Sequence, residues 1–209
     1  MKTEDLISVL QQDTLPDPRP KQVLGRWLVP ALLLSALFVI SVYGLRFPLQ
    51  QTLMTPEIAP KFYLPLVLAV LVTPMAVRLG RPTAKVSTGW LWIFPAIGAA
   101  LLAYAFLTTP EGQRMADFEG ETILPCLISV PMLSLPALGA LLISLRKGAV
   151  TRPAQAGALA GLAAGGMGTA IYALHCTEDS PLFYVTWYGI GIVVVMLAGA
   201  LLGKRVLRW

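Results

Sequence analysis

The chain has 209 residues, of which 56% are apolar and 13% charged, about half of the ~25% charged share of soluble domains. A large water-soluble catalytic domain is excluded on composition alone. The net charge of +5 sits beside apolar stretches, where topology and anionic headgroups account for it, so no direct nucleic-acid contact is expected.

At the N-terminus, Thr3 can cap a short helix, Glu4 and Asp5 suit its positive end, and Leu6, Ile7, Val9 and Leu10 share one face. A helix this short is marginal alone in water, so residues 1–15 read as a segment that orders on a partner. A frayed tail or a helix lying on the headgroups is the alternative. Pro16, Pro18 and Pro20 make a stiff linker of residues 16–26. The first apolar stretch starts too far in, and runs too long, for a cleaved signal peptide.

From there the sequence alternates charge-free windows with charged ends. The windows hold 19, 16, 25, 24, 25 and 24 residues. About 20 apolar residues cross a bilayer as a helix, and unpaired backbone amides are costly in lipid. The expectation is an all-α integral membrane domain over 27–207, with spans at about 27–45, 62–79, 90–107, 122–145, 154–174 and 183–203. Trp27, Tyr63, Trp90, Trp92, Tyr104, Tyr184, Trp187 and Trp209 fall near span ends and predict an aromatic belt. The second span is the shortest, and Lys61 and Arg78 at its ends are expected to snorkel to the headgroups.

Six spans put both termini on one side. Thirteen of the 16 Lys and Arg fall there, and only Arg46, Lys61 and Arg114 lie opposite. Both termini are therefore expected in the cytoplasm. Seven of the 11 acidic residues lie on the basic-poor side, among them Glu121, Glu178 and Asp179.

Inside the six windows there is no Asp, Glu, Lys or Arg, which removes the usual handle of an ion-coupled transporter. The fourth carries Pro125, Pro131 and Pro136 and predicts a kinked helix. Gly157, Gly161 and Gly165, with Gly199 and Gly203 in the sixth, predict close packing of the last two spans. That packing could be within one chain or between two, so the oligomeric state stays open.

The two cysteines and the single histidine, Cys126, Cys176 and His175, share the non-cytoplasmic side. Three readings remain open there: a static disulfide, two unrelated buried thiols, and a switchable redox or soft-metal site with His175 as a further ligand. No second redox pair is visible, so a thiol oxidoreductase is disfavoured and no enzyme activity or required cofactor is expected.

Several strings then become familiar: Thr3-x-Asp5-Leu6-Ile7-x-x-Leu10, Trp90-Leu91-Trp92, Pro125-Cys126, Leu135-Pro136, Thr151-Arg152-Pro153, and a stretch from Tyr172 through His175-Cys176-Thr177-Glu178-Asp179-Ser180. Trp187-Tyr188-Gly189 and the closing Leu207-Arg208-Trp209 complete them. In these the chain resembles the negative regulator of sigma F (NrsF) family along essentially its whole length. The resemblance implies a six-span bacterial inner-membrane anti-sigma factor holding an extracytoplasmic-function sigma factor. It also implies that Cys126 and Cys176 answer heavy-metal or oxidative stress. Under it, Asp5, Leu6, Ile7 and Leu10 are the expected contacts to the sigma factor, and lipids are the other partners. The competing expectation is a small six-span transporter or channel with a structural disulfide.

Overall fold

A computed structural model of the chain describes Ser8 and residues 20–208, and among these it is helical, with no strand. Helix α1 (Pro20–Phe38) runs on as a π-turn (Val39–Tyr43), and a short α2 (Leu49–Met54) leads to α3 (Ala59–Arg78). A 3₁₀ turn (Gly89–Trp92) opens α4 (Ile93–Thr108), followed by α5 (Glu111–Glu119), α6 (Ile123–Arg146), α7 (Pro153–Ala173) and α8 (Pro181–Val206). Six of these stretches are long and apolar enough to cross a membrane: Pro20–Tyr43, Ala59–Arg78, Gly89–Thr108, Ile123–Arg146, Pro153–Ala173 and Pro181–Val206.

Helix α1 begins earlier than composition suggested and takes in residues 20–26, assigned above to the linker. The reason is local: proline at a helix's first position loses no hydrogen bond and already has a helical φ. The Ser144 hydroxyl then donates to the Pro20 carbonyl at 2.6 Å and ties this end to α6. The tail residues Asp5, Leu6, Ile7 and Leu10, and Trp209 at the far end, lie outside the described residues.

Helix α7 is the centre of the bundle, with α8, α3 and α6 packed around it. Helix α1 lies on α6, and α4 is held chiefly by α8. In α7 72% of the apolar stretch is buried, against 11% in the first and third spans. The cause is side-chain size. A Cβ on Gly157 would come within 2.9 Å of the Gly203 Cα, one on Gly161 within 2.8 Å of the Met196 Cα, and one on Gly165 within 3.2 Å of the Ile192 Cα, all on α8. Reciprocally, a Cβ on Gly199 would meet the Gly161 Cα at 2.8 Å. Thus Gly157, Gly161, Gly165, Gly199 and Gly203 lie in one seam within a single chain. Gly166 points instead at the Pro65 carbonyl of α3 (2.6 Å), and Gly168 at Ser134 of α6. With backbones this close, dispersion contacts between the two helices are dense, as small-residue faces allow.

Hydroxyls bond backbone carbonyls in the proline-bearing stretch of α6. The Ser35 hydroxyl of α1 donates to the Leu133 carbonyl at 2.8 Å, three residues before Pro136, and Ser134 donates to the Val130 carbonyl at 2.7 Å.

Candidate functional site

At one end of the bundle the chain turns from α7 into α8 through residues 174–180. His175 and Cys176 amides both donate to the Tyr172 carbonyl (3.0 and 3.2 Å), tightening the end of α7. Ser180 caps α8, its hydroxyl accepting from the Leu182 amide at 3.3 Å. The turn places Cys176 in a buried cluster with Tyr172, Phe183, Tyr184 and Tyr188, and Cys126 enters the same cluster from the first turn of α6. Cys126 is 0% exposed and Cys176 2%, and both are free thiols.

His175 does not turn toward the thiols. Its Nδ1 lies 3.2 Å from the Gly44 carbonyl, and its ring stacks on Tyr43 with centroids 4.9 Å apart. Tyr43 is in turn fixed by the Ser129 hydroxyl at 2.9 Å, across from α6. The π-turn swings Tyr43 to this position and ends at Gly44, whose φ of 78° suits glycine. Among the described residues no group of three His, Cys, Asp or Glu side chains is gathered as a metal would require. The set Cys126, Cys176 and His175 is therefore not preassembled, because the imidazole is committed to the Gly44 carbonyl and Tyr43.

Two cations hold the turn. Lys61, in the first turn of α3, has a wholly buried side chain, contrary to the expectation that it snorkels. Its ammonium donates to the Cys176 carbonyl (2.6 Å), the Glu178 carbonyl (2.8 Å) and the Asp179 carboxylate (3.2 Å). Three acceptors compensate the loss of water that burial imposes, so the stem has no reason to reach for the headgroups. Arg46 forms a two-pronged pair with Asp179 at 2.5 and 2.6 Å, and its amide donates to the Leu174 carbonyl at 3.1 Å. Burial pushes the Asp179 carboxyl up, but the Arg46 hydrogen bond and the Lys61 charge outweigh it and hold the group below the ordinary carboxylate range. The hydrogen bond to Asp179 raises Arg46 above its usual value, against partial burial.

The neighbouring loop closes the other flank. Glu178 accepts from the Glu121 amide (2.8 Å) and the Thr122 hydroxyl (3.3 Å), just ahead of α6. Gly120 sits at φ 54°, where a Cβ would meet the Phe183 ring at 2.7 Å. The Trp187 indole donates to the Phe118 carbonyl at 2.8 Å, and the Tyr184 hydroxyl to the Glu57 carbonyl at 3.3 Å. Tyr184 is thus a buried part of this cluster, and Trp187 a partly buried one, rather than members of a lipid-facing belt. Trp27, Tyr63, Trp90, Trp92 and Tyr104 are exposed as a belt requires.

Lys61, Arg46 and Tyr188 are the site residues that sequence reading missed. One signal was available. Three cations share a side with seven acids, so a pairing of Arg46 or Lys61 with a nearby acid was to be expected on charge alone.

A sequence profile described as "Negative regulator of sigma F" matches residues 10–209. Two curated relatives align over the whole of this chain and the whole of their own. The "Probable anti-sigma-F factor NrsF" of Azospira oryzae is 31% identical over 217 residues, and the "Anti-sigma-F factor NrsF" of Caulobacter vibrioides is 33% identical over 218. No solved structure matches the chain.

Proposed function

The chain belongs to the negative regulator of sigma F family, and from that premise we propose that it holds a sigma factor at a bacterial inner membrane through its N-terminal segment and releases it when its thiols are modified. The observation that carries the anti-sigma reading is the full-length similarity to two anti-sigma-F factors. Both termini face the cytoplasm, as the charge asymmetry argues. Leu6, Ile7 and Leu10 supply the apolar contacts to a sigma factor of the sigma F or wider extracytoplasmic-function type, and Asp5 a polar one.

The stimulus acts at Cys126 and Cys176. Support comes from their shared burial at the end of the bundle opposite Pro20. A peroxide-class oxidant would join the two sulfurs in one bond, taking two electrons and two protons and leaving as two waters. A soft metal ion is the other stimulus class; it would displace the thiol protons to solvent, and it would find no third ligand in His175 as placed.

The route to the tail is physical. Cys126 stands on α6, and α6 grips α1 twice, through the Ser35–Leu133 bond and through Ser144 on the Pro20 carbonyl, where the tail begins. A shift of α6 changes how the tail is presented. A stimulus moves this equilibrium only by its preference for one packing, and a tenfold release needs about 1.4 kcal/mol.

The test is capture of bound protein by the intact chain and by Leu6→Asp/Leu10→Asp in detergent, with mass spectrometry of what is retained. A sigma factor bound by the first and lost by the second is the expected result. Equal retention by both, or none by either, overturns the tail as the binding element. Cys126→Ser and Cys176→Ser, read by a sigma-dependent reporter under cadmium or peroxide, test the sensing half separately.

A further inference from the structure

We propose that Lys61 and Arg46 are positioning residues that latch the 174–180 turn over the two thiols, so that opening of this latch sets how fast Cys126 and Cys176 can react. This rests on the reading of the thiols as the stimulus site, but its geometry is independent of the tail.

Both sulfurs are buried, so no oxidant or metal ion reaches them while the turn is in place. What keeps the turn in place is concentrated in few atoms. One ammonium, on Lys61, holds the carbonyls of Cys176 and Glu178 and the carboxylate of Asp179. Arg46 grips both oxygens of the same carboxylate, sharing Oδ1 with Lys61, and the Leu174 carbonyl through its amide. The Lys61 contacts must break together, because lifting the turn leaves a buried ammonium without acceptors, and an uncompensated buried charge is costly. Opening is therefore rare and cooperative.

The same event frees both thiols. Glu178, inside the turn, is bonded to the Glu121 amide and the Thr122 hydroxyl immediately before α6. The Cys126 amide in turn donates to the Thr122 carbonyl at 2.9 Å. Lifting the turn therefore pulls on the residue that anchors Cys126. The latch reaches α3 through Lys61 and the segment after α1 through Arg46, which makes access to the thiols a property of the bundle rather than of the loop alone.

The measurement is the maleimide labelling rate of each cysteine in the full chain in detergent, resolved by mass spectrometry. It is made for the wild type, Lys61→Met, Lys61→Arg, Arg46→Gln and Gly203→Ala. The last variant strains the seam at the opposite end and lowers stability without touching the turn. Loss of the latch raises labelling of Cys176 and Cys126 by about tenfold or more in Lys61→Met and Arg46→Gln, with little dependence on added SDS, as local opening requires. Lys61→Arg, which keeps the charge, stays nearer the wild type, and Gly203→Ala labels at the wild-type rate in the absence of SDS. Wild-type labelling in folded Lys61→Met and Arg46→Gln overturns the proposal. So does acceleration in Gly203→Ala matching theirs at equal loss of stability, because the thiols would then be exposed by global unfolding. If Lys61→Met does not fold, Arg46→Gln decides. Faster labelling in Lys61→Met and Arg46→Gln, together with Cys126→Ser and Cys176→Ser still answering cadmium and peroxide as the wild type does, would retain the latch and reject thiol sensing.

Discussion

The α7–α8 seam and the 174–180 turn are neighbours in sequence and opposites in construction. The seam is held by what is missing: glycines at 157, 161, 199 and 203 let two backbones meet, and the atoms nearest each of them across the seam are backbone. The turn is held by what is present, namely two cations and a carboxylate whose partners come from α3, from the segment after α1 and from the turn itself. The seam therefore fails when atoms are added and the turn fails when atoms are removed. A helix pair in lipid gains little from burying apolar surface and must pack tightly, whereas charges at a helix end need specific partners to offset desolvation.

The largest effect should come from filling the seam. Gly157→Val puts branched carbons against the α8 backbone, with the Gly203 Cα 2.9 Å from where a Cβ would stand, and should destabilise by about 3 kcal/mol or prevent folding, as SDS titration of the purified protein would register. Survival of this variant at wild-type stability would break the contrast. Next, Asp179→Asn takes a charged acceptor from Lys61 and Arg46 while leaving size unchanged. A loss of about 2 kcal/mol is expected, again by SDS titration.

The same pair gives a pH signature that the seam cannot. Because the Asp179 carboxyl lies below its ordinary range in the folded protein, its stabilisation is complete above the unfolded value of about 3.9 and is lost as pH falls through the lower folded value. The gap in thermal stability between the wild type and Asp179→Asn should be constant from pH 5 to 8, both approximate bounds, and shrink below about pH 4. A gap that widened in acid would reverse the assignment.

Ser35→Ala removes one hydroxyl from the proline region of α6 and should cost about 1 kcal/mol in thermal unfolding. Smallest of all, Leu33→Phe on an exposed face of α1 should change stability by less than about 0.5 kcal/mol.

The six long apolar helices were legible because length and apolarity are properties of one segment of chain. A charge-free run of about 20 residues must be helical wherever it packs, and the six stretches observed lie close to the six windows. The glycine spacing likewise pointed to the α7–α8 contact, since small residues every four positions form one face. Gly166 and Gly168 belong to the same helix but to other neighbours, a distinction that spacing does not carry.

What only the tertiary structure decided is which end-of-span groups are buried. Lys61 and Tyr184 look like interfacial residues in sequence, and Trp92 and Tyr104 do remain exposed. Lys61 is buried because its acceptors lie 115 to 118 residues further along the chain, and Tyr184 because the Glu57 carbonyl meets it from before α3. His175 stands beside Cys176 in sequence and turns away from it in space, drawn by the Gly44 carbonyl and the Tyr43 ring. Hydrophobic length is a property of a segment and can be read from it. Compensation of a buried charge is a property of a meeting between distant segments, and it exists only once the helices have packed.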